Sequence, residues 1–333
     1  MTKNIPLNVL DHVSVSEGQT VREAIEHSLE AAQLIDKLGF KRLWFGEHHN
    51  MISLASAANP ILIAQAAQVT ERIRVGSGGL LLPNYAPLQV AESFGTLAQL
   101  FPNRIDLGLG RAPGTDAQTA QLLIRSGSDP QSFANSIYDL TGWFSDEGMA
   151  SSVPVTSNVG TGTNIPMWIL GSSMNGASIA GQLGLPYSVG SHFSPENYRE
   201  KIELYRSTFK TTAPTAQIEE PYTMAGINVL VASTDEEAER LWTTTQQMLI
   251  DGQTGKQRLL QPPVDPDELG TEQERALIES MVSNKAVGSQ ETVHNKLKEF
   301  THQSGIDELI VVTYTYDPED RKRSMELLAD LWF

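Results

Sequence analysis

Eight short apolar runs recur along the chain, each separated from the next by a longer amphipathic stretch. They are IPLNVLD, KRLWFGE, IRVGSGGLLL, RIDLGLGR, MWILGSS, YSVGSHF, INVLVA and ELIVVTYTY. Several are too continuously apolar for strands with one wet face, which is what a parallel sheet covered by helices demands. The alternation never breaks into a run of strands, so it favours a closed (β/α)8 TIM barrel over an open doubly wound sheet. A chain of 333 residues is within the size that such barrels reach as one domain, here taken as residues 1–333.

Helix signals fall between the apolar runs. TVREAIEHSLEAAQLIDKLG opens with a capping box, Thr20 and Glu23, carries apolar residues at three- and four-residue spacing, and closes on Gly39. NPILIAQAAQVTER, APLQVAESFGTLAQLF, SPENYREKIELYRSTF, STDEEAERLW and DPEDRKRSMELLADLW start with a capping residue, a proline at the first turn, or both. One stretch breaks the pattern. From about 246 to 284 the chain is polar and includes QPPVDPDELG, which reads as a lid or edge insertion with one helix, TEQERALIESM, and no core of its own.

Charge and composition exclude several classes. With 24 basic and 40 acidic side chains the net charge is -16, which repels phosphate backbones and anionic lipid, so neither nucleic acid nor membrane is expected as a partner. No apolar run approaches the roughly 20 residues of a membrane span, and MTKNIPLNVLD has no signal-peptide core, so a cytoplasmic address is expected. The chain has no cysteine, which removes disulfides, thiolate metal sites and a cysteine nucleophile.

In a (β/α)8 barrel the site lies where strands end, so residues leaving a strand carry most weight. That rule selects four places: Glu47, His48 and His49; the glycines of VGSGGLLLP; GLGRAPGTD with Arg111; and GSSMNGA, residues 171–177. Adjacent side chains on an extended segment point to opposite faces, so His48 and His49 do not readily share a metal ion; no metal site is expected, and His12 and His192 are the remaining histidines near strand ends. A histidine beside a carboxylate suits acid-base work, although one capping the strand and one solvated would serve as well structurally. Glycine in a central strand admits close approach of another group, or marks a bulge. Arg111 suits bidentate recognition of a phosphate or carboxylate, or a plain salt bridge with Asp116. The Ser/Gly-rich turn before a helix is a ready anion site. Trp44, Phe45, Tyr187 and Phe193 could line the mouth, core packing being the commoner fate of such residues.

LWFGEHHN, the long run RIRVGSGGLLLPNYAPLQVAESFGTLAQLFPNRIDLGLGRAPGTD, and GSSMNGASIAGQLGLPYSVGSHF closely resemble the bacterial-luciferase-like flavin-dependent monooxygenases. The resemblance covers roughly residues 5–200, with weaker motifs beyond. It implies reduced FMN (FMNH2) at the barrel mouth, O2 as co-substrate, a small organic substrate of aldehyde-like or apolar kind, a separate flavin reductase and a homodimer. It further implies a catalytic role for His48, with Glu47 and His49 completing the motif, a cis peptide at Gly78 and Gly79 supporting the flavin ring, and phosphate binding by Arg111, Ser172, Ser173 and Gly176. Light-emitting members carry an alanine pair where this chain has Gly78 and Gly79, and a cysteine where it has Gly110, so the resemblance is to non-luminescent, alkanal monooxygenase-like members. A deazaflavin-dependent oxidoreductase and a non-catalytic flavin-binding protein are the alternatives on the same fold.

Overall fold

The computed structural model describes residues 4–333, beginning with strand β1 (Leu7–Asp11) and helix α1 (Val21–Leu38). Thr20 and Glu23 form the capping box, and Gly39 ends α1 in the left-handed region at φ 91°, where a side chain would be strained. The alternation continues through β2 (Arg42–Phe45), α2 (Asn59–Val69), β3 (Arg74–Leu81), α3 (Pro87–Leu100) and β4 (Ile105–Gly110). Two helices then follow that no motif announced, α4 (Ala117–Leu123) and α5 (Pro130–Phe144), each capped by an aspartate, Asp116 or Asp129. Next come β5 (Met167–Gly171), α6 (Met174–Leu183), β6 (Tyr187–Val189), α7 (Tyr198–Thr208) and β7 (Thr223–Val231). The chain closes with α8 (Asp235–Thr254), α9 (Glu272–Met281), β8 (Lys285–Gly288), α10 (Gln290–Ser304), β9 (Glu308–Val312) and α11 (Pro318–Trp332).

Every strand pairing is parallel. β1 to β6 pair in order, β6 pairs with β7, β7 with β9, and β9 returns to β1, so eight strands close a ring and the expected (β/α)8 barrel is the observed fold. The ninth strand lies outside the ring. β7 pairs with β9 over Met224–Asn228 and with β8 over Asn228–Val231, so the sheet forks at Asn228. This extra strand, KAVG, is four residues long and follows a polar stretch, which hides it from an apolar-run count.

The stretch from 246 to 284 also differs from its sequence reading. Its first nine residues continue α8 without a break, α9 supplies the expected helix, and the stretch is not coreless. Ile250, Leu269, Ile278 and Val282 pack with Leu230, Trp242 and Val287 in a small apolar cluster beside the main one. The excursion is thus anchored on the fork and on α8.

Two layers of core hold the barrel. One lies between strands and helices; the other fills the ring and includes Leu10, Trp44, Trp168, Met224 and Ile310. Trp44, Phe45 and Tyr187 are fully buried and serve as core. Below the inner layer, at the strand starts, lies a buried ionic network. Arg42 Nε donates to Glu308 at 2.9 Å, its other arm reaches Asp106, and its guanidinium lies 5.1 Å from the Trp168 ring centroid. Arg74 and Trp44 Nε1 also donate to Asp106, while Asn8 and the Tyr222 hydroxyl donate to Glu308. These groups plug one end of the barrel.

Removing one partner from such a network leaves buried charge uncompensated. Arg42→Met is expected to lower the free energy of unfolding by about 3–5 kcal/mol, read from the urea midpoint at unchanged slope. A loss under about 1 kcal/mol would show that the network carries little.

Candidate active site

The open end of the ring holds a cavity of about 820 Å³, lined by residues from the exits of β1 to β7 and β9 and covered in part by Met248 of α8 and Met281 of α9. Small-molecule sites run to roughly 300–1,000 Å³, so the space suits a cofactor together with a small co-substrate. Eight of the nine site residues singled out in the sequence line it: Glu47, His48, Gly78, Gly79, Arg111, Ser172, Ser173 and Gly176. His49 does not.

The wall at Gly78 and Gly79 is bare peptide. A Cβ on Gly78 would meet Leu10 Cδ1 at 2.7 Å and Trp44 Cβ at 2.8 Å, and one on Gly79 would meet the Gly108 carbonyl at 3.1 Å, so only glycine lets β3 sit this deep in the wall. The Gly78–Gly79 peptide bond is cis. The register between β3 and β4 shifts between Ser77 and Leu80, across the same pair.

Glu47 anchors the histidine motif. Its carboxylate, 3% exposed, accepts the Leu81 amide at 3.0 Å and the Asn84 side-chain amide at 3.4 Å, and bonds His49 Nε2 at 2.7 Å. His49 therefore turns back onto Glu47, while His48 faces the cavity. The two histidines point to opposite sides, as an extended backbone requires.

His48 is one of three histidines in the cavity wall. Its ring lies 5.2 Å from that of His12, and His12 Nδ1 shares a 2.7 Å hydrogen bond with the Tyr314 hydroxyl. Burial pushes His12 well below its ordinary value, with His48 and His192 adding to the effect. Burial likewise lowers His48, against an opposing hydrogen bond to the Gly114 backbone. Burial and the neighbouring His48 push His192 down to about 4. Burial pushes the Tyr314 hydroxyl up, so in all four groups burial favours the uncharged form. The Asn228 side-chain amide, at the fork, donates to the His192 carbonyl at 2.6 Å and fixes the loop after β6.

Arg111 sits apart from this cluster. Its guanidinium makes a single 3.5 Å contact, to the Ser128 carbonyl, and no ion pair among the described residues. Asp116, the alternative partner, instead caps α4 and accepts from Asn50 at 3.0 Å. Ser173 caps α6, its hydroxyl accepting the Gly176 amide at 3.1 Å. That bond takes the Gly176 amide, and the Met174 and Asn175 amides before it have no partner within the helix, which leaves an anion site with Ser172 and Ser173 beside it.

Sequence reasoning missed Tyr314 and Asn228, and it weighed His12 and His192 only as metal ligands. Tyr314 follows ELIVV, so the strand-exit rule reaches it; Asn228 sits inside β7, where only the fork gives it a role. Phe193 is 56% exposed and lines the mouth.

Comparison with known proteins supplies a family. The sequence pattern of the luciferase-like monooxygenases matches residues 7–308. A luciferase-like monooxygenase of Escherichia coli strain K12 is 40% identical over 99% of this chain and 97% of its own. An N-acetyl-S-alkylcysteine monooxygenase of Bacillus subtilis is 27% identical over 98% of both chains. The oxygenase component of a flavin-dependent trigonelline monooxygenase of Acinetobacter baylyi is 27% identical over 68% of this chain and 64% of its own. Among solved structures, apo-MsnO8 superposes with a TM-score of 0.85 at 34% identity over 98% of both chains. At lower identity, where the likeness is one of fold, the oxygenating constituent of 3,6-diketocamphane monooxygenase of Pseudomonas putida, in complex with FMN, gives a TM-score of 0.70 at 20% identity over 98% of this chain and 97% of its own. An F420-dependent secondary alcohol dehydrogenase gives 0.69 at 14% over 98% of both.

The histidine cluster sets an acid limit on stability. A histidine whose folded pKa lies below its unfolded value binds more protons when unfolded, so its contribution is complete above about 6.5 and is lost as pH falls toward about 4. The slope is at most about 1.4 kcal/mol per pH unit for each histidine. His192→Gln is expected to flatten the stability profile across that window in urea titrations; an unchanged slope would show that His192 titrates normally.

Proposed function

The chain belongs to the luciferase-like monooxygenase family, and on that footing we propose that it uses FMN, reduced by a separate flavin reductase, to oxygenate a small organic substrate with O2. The observation that carries this reading is the pairing of an Arg111 guanidinium free of ion pairs with the α6 amino end, on the same cavity as the bare Gly78–Gly79 wall.

The residues present fit the cofactor. Arg111, Ser172, Ser173 and the α6 amides would hold the phosphate, by bidentate and helix-terminal hydrogen bonds. The glycine wall, lacking side chains, would take the flat ring, with Glu47 close behind. When bound, reduced flavin supplies the two electrons with which O2 gives one oxygen atom to the substrate and one to water.

His48 is the proton-handling residue of this reading. Its imidazole, buried at the cavity wall and held below its ordinary value by burial, is placed to accept a proton and, once protonated, to return it. Glu47 and His49 act as positioning residues, holding the β2 exit against β3 through the Leu81 amide. Met248 and Leu249 of α8, with Met281 and Val282 at the end of α9, add an apolar wall to the mouth. No G-x-G-x-x-G follows a strand and opens a helix, so the chain has no nicotinamide fingerprint of its own and the reductant comes from another protein. A homodimer completes the proposal.

Titration of the purified chain with photoreduced FMN under argon, followed by air, tests the proposal. Protein-dependent change in the flavin spectrum and its reoxidation rate is expected; no change, with hydride transfer to or from deazaflavin under argon, would replace FMN by the alternative cofactor. Arg111→Ala is expected to weaken FMN binding at least about tenfold. His48→Ala is expected to retain FMN and lose about 10²–10⁴ in turnover. Full turnover in that variant would remove His48 from the chemistry, and retained FMN without any turnover in the unmodified chain would leave a flavin-binding protein.

A further inference from the structure

Among the residues lining the cavity, Glu47 is the one carboxylate, Arg111 is the one guanidinium and there is no lysine, while burial favours the uncharged form of His12, His48 and His192. Glu47 and Arg111 are both committed. The Glu47 carboxylate already takes three hydrogen bonds and is closed off from solvent, and Arg111 stands with the α6 terminus at the anion site. The rest of the chamber has two surfaces. One is a neutral polar cluster of His12, His192, Tyr314 and Asn228; the other is apolar, formed by Phe193, Met248, Leu249, Met281 and Val282.

Building on the reading above, we propose that the substrate is an uncharged molecule with an apolar body, which lies under Met248 and Met281, and at most neutral polar groups, which face the His12–Tyr314 cluster. A carboxylate or ammonium placed there would lose its hydration with no unpaired countercharge in the lining to replace it, since the buried Arg321 behind His12 is already paired with Asp11 at 3.1 Å. The net charge of -16 works against anionic substrates at the approach as well. The two methionines are unbranched and adaptable, so the apolar wall accommodates bodies of differing shape.

The proposal separates this chain from two of its relatives. N-acetyl-S-alkylcysteines and trigonelline, named for the substrates of those relatives, both carry a carboxylate. An enzyme of that type needs a cation in the substrate chamber, and here the lining offers none besides Arg111.

FMN binding is measured first, so that failure of the cofactor reading shows on its own. The FMN-loaded protein is then titrated calorimetrically with matched pairs: N-acetyl-S-benzylcysteine against its methyl ester, and 4-phenylbutylamine against 4-phenylbutanol. The neutral member of each pair is expected to bind at least about tenfold more tightly, and oxygenated product is expected from the ester before the acid. Equal or tighter binding of a charged member overturns the proposal, as does failure of both neutral members to bind a protein that binds FMN. Met248→Lys places a cation in the chamber wall and is expected to shift the ester-to-acid preference at least about tenfold toward the acid. An unchanged ratio would put the substrate elsewhere.

Discussion

The mouth of this barrel depends on how closely β3 and β4 pass. A Cβ on Gly76 would run into the Asp106 carbonyl, and one on Gly108 into that of Ser77, so the two strands touch backbone to backbone. The Ser77 hydroxyl donates to the Gly108 carbonyl at 2.8 Å and holds them there. From that contact β3 slips its register against β4, and the peptide of Gly78 and Gly79 is presented bare to the cavity. Its next free amide, at Leu81, binds Glu47 and so fixes the turn that carries both histidines. The floor and the histidine motif are therefore one construction, set by side chains that are missing.

Charge is divided between the ends of the barrel. At the strand starts Arg42, Arg74, Asp106 and Glu308 pair with one another in a dry interior, where each ion is stabilised only because its partners are fixed. At the strand exits a second buried pair, Asp11 with Arg321, lies behind His12, burial holds the histidines below and the tyrosine above their ordinary values, and the Arg111 guanidinium stands at the rim without an ion pair. A chamber of that kind favours reactions whose charged groups come with the cofactor, and it sets apart substrates that bring charge of their own.

Much of this was legible in the chain. The alternation announced the ring, the capping box and Gly39 bounded α1, and the strand-exit rule reached all eight cavity-lining site residues, because each follows an apolar run or sits within one. The parts that stayed hidden share a physical cause. β8 is short, begins with lysine, and is a strand only because β7 outruns β9 and offers it a free edge. The small core beside it combines residues far apart in sequence, so no single window of the insertion shows it. The link between His12 and Tyr314 spans 302 positions and exists only once the ring has closed.

The central claim is that a flavin lies with its phosphate at Arg111 and α6 and its ring on the glycine wall. A crystal structure of the protein grown with FMN tests it most directly. The account predicts density for the phosphate within hydrogen-bonding reach of Arg111, Ser172 and Ser173, and for the ring against the Gly78–Gly79 peptide with His48 at its edge. A phosphate bound elsewhere, or a ring that leaves the glycine wall bare, would contradict it.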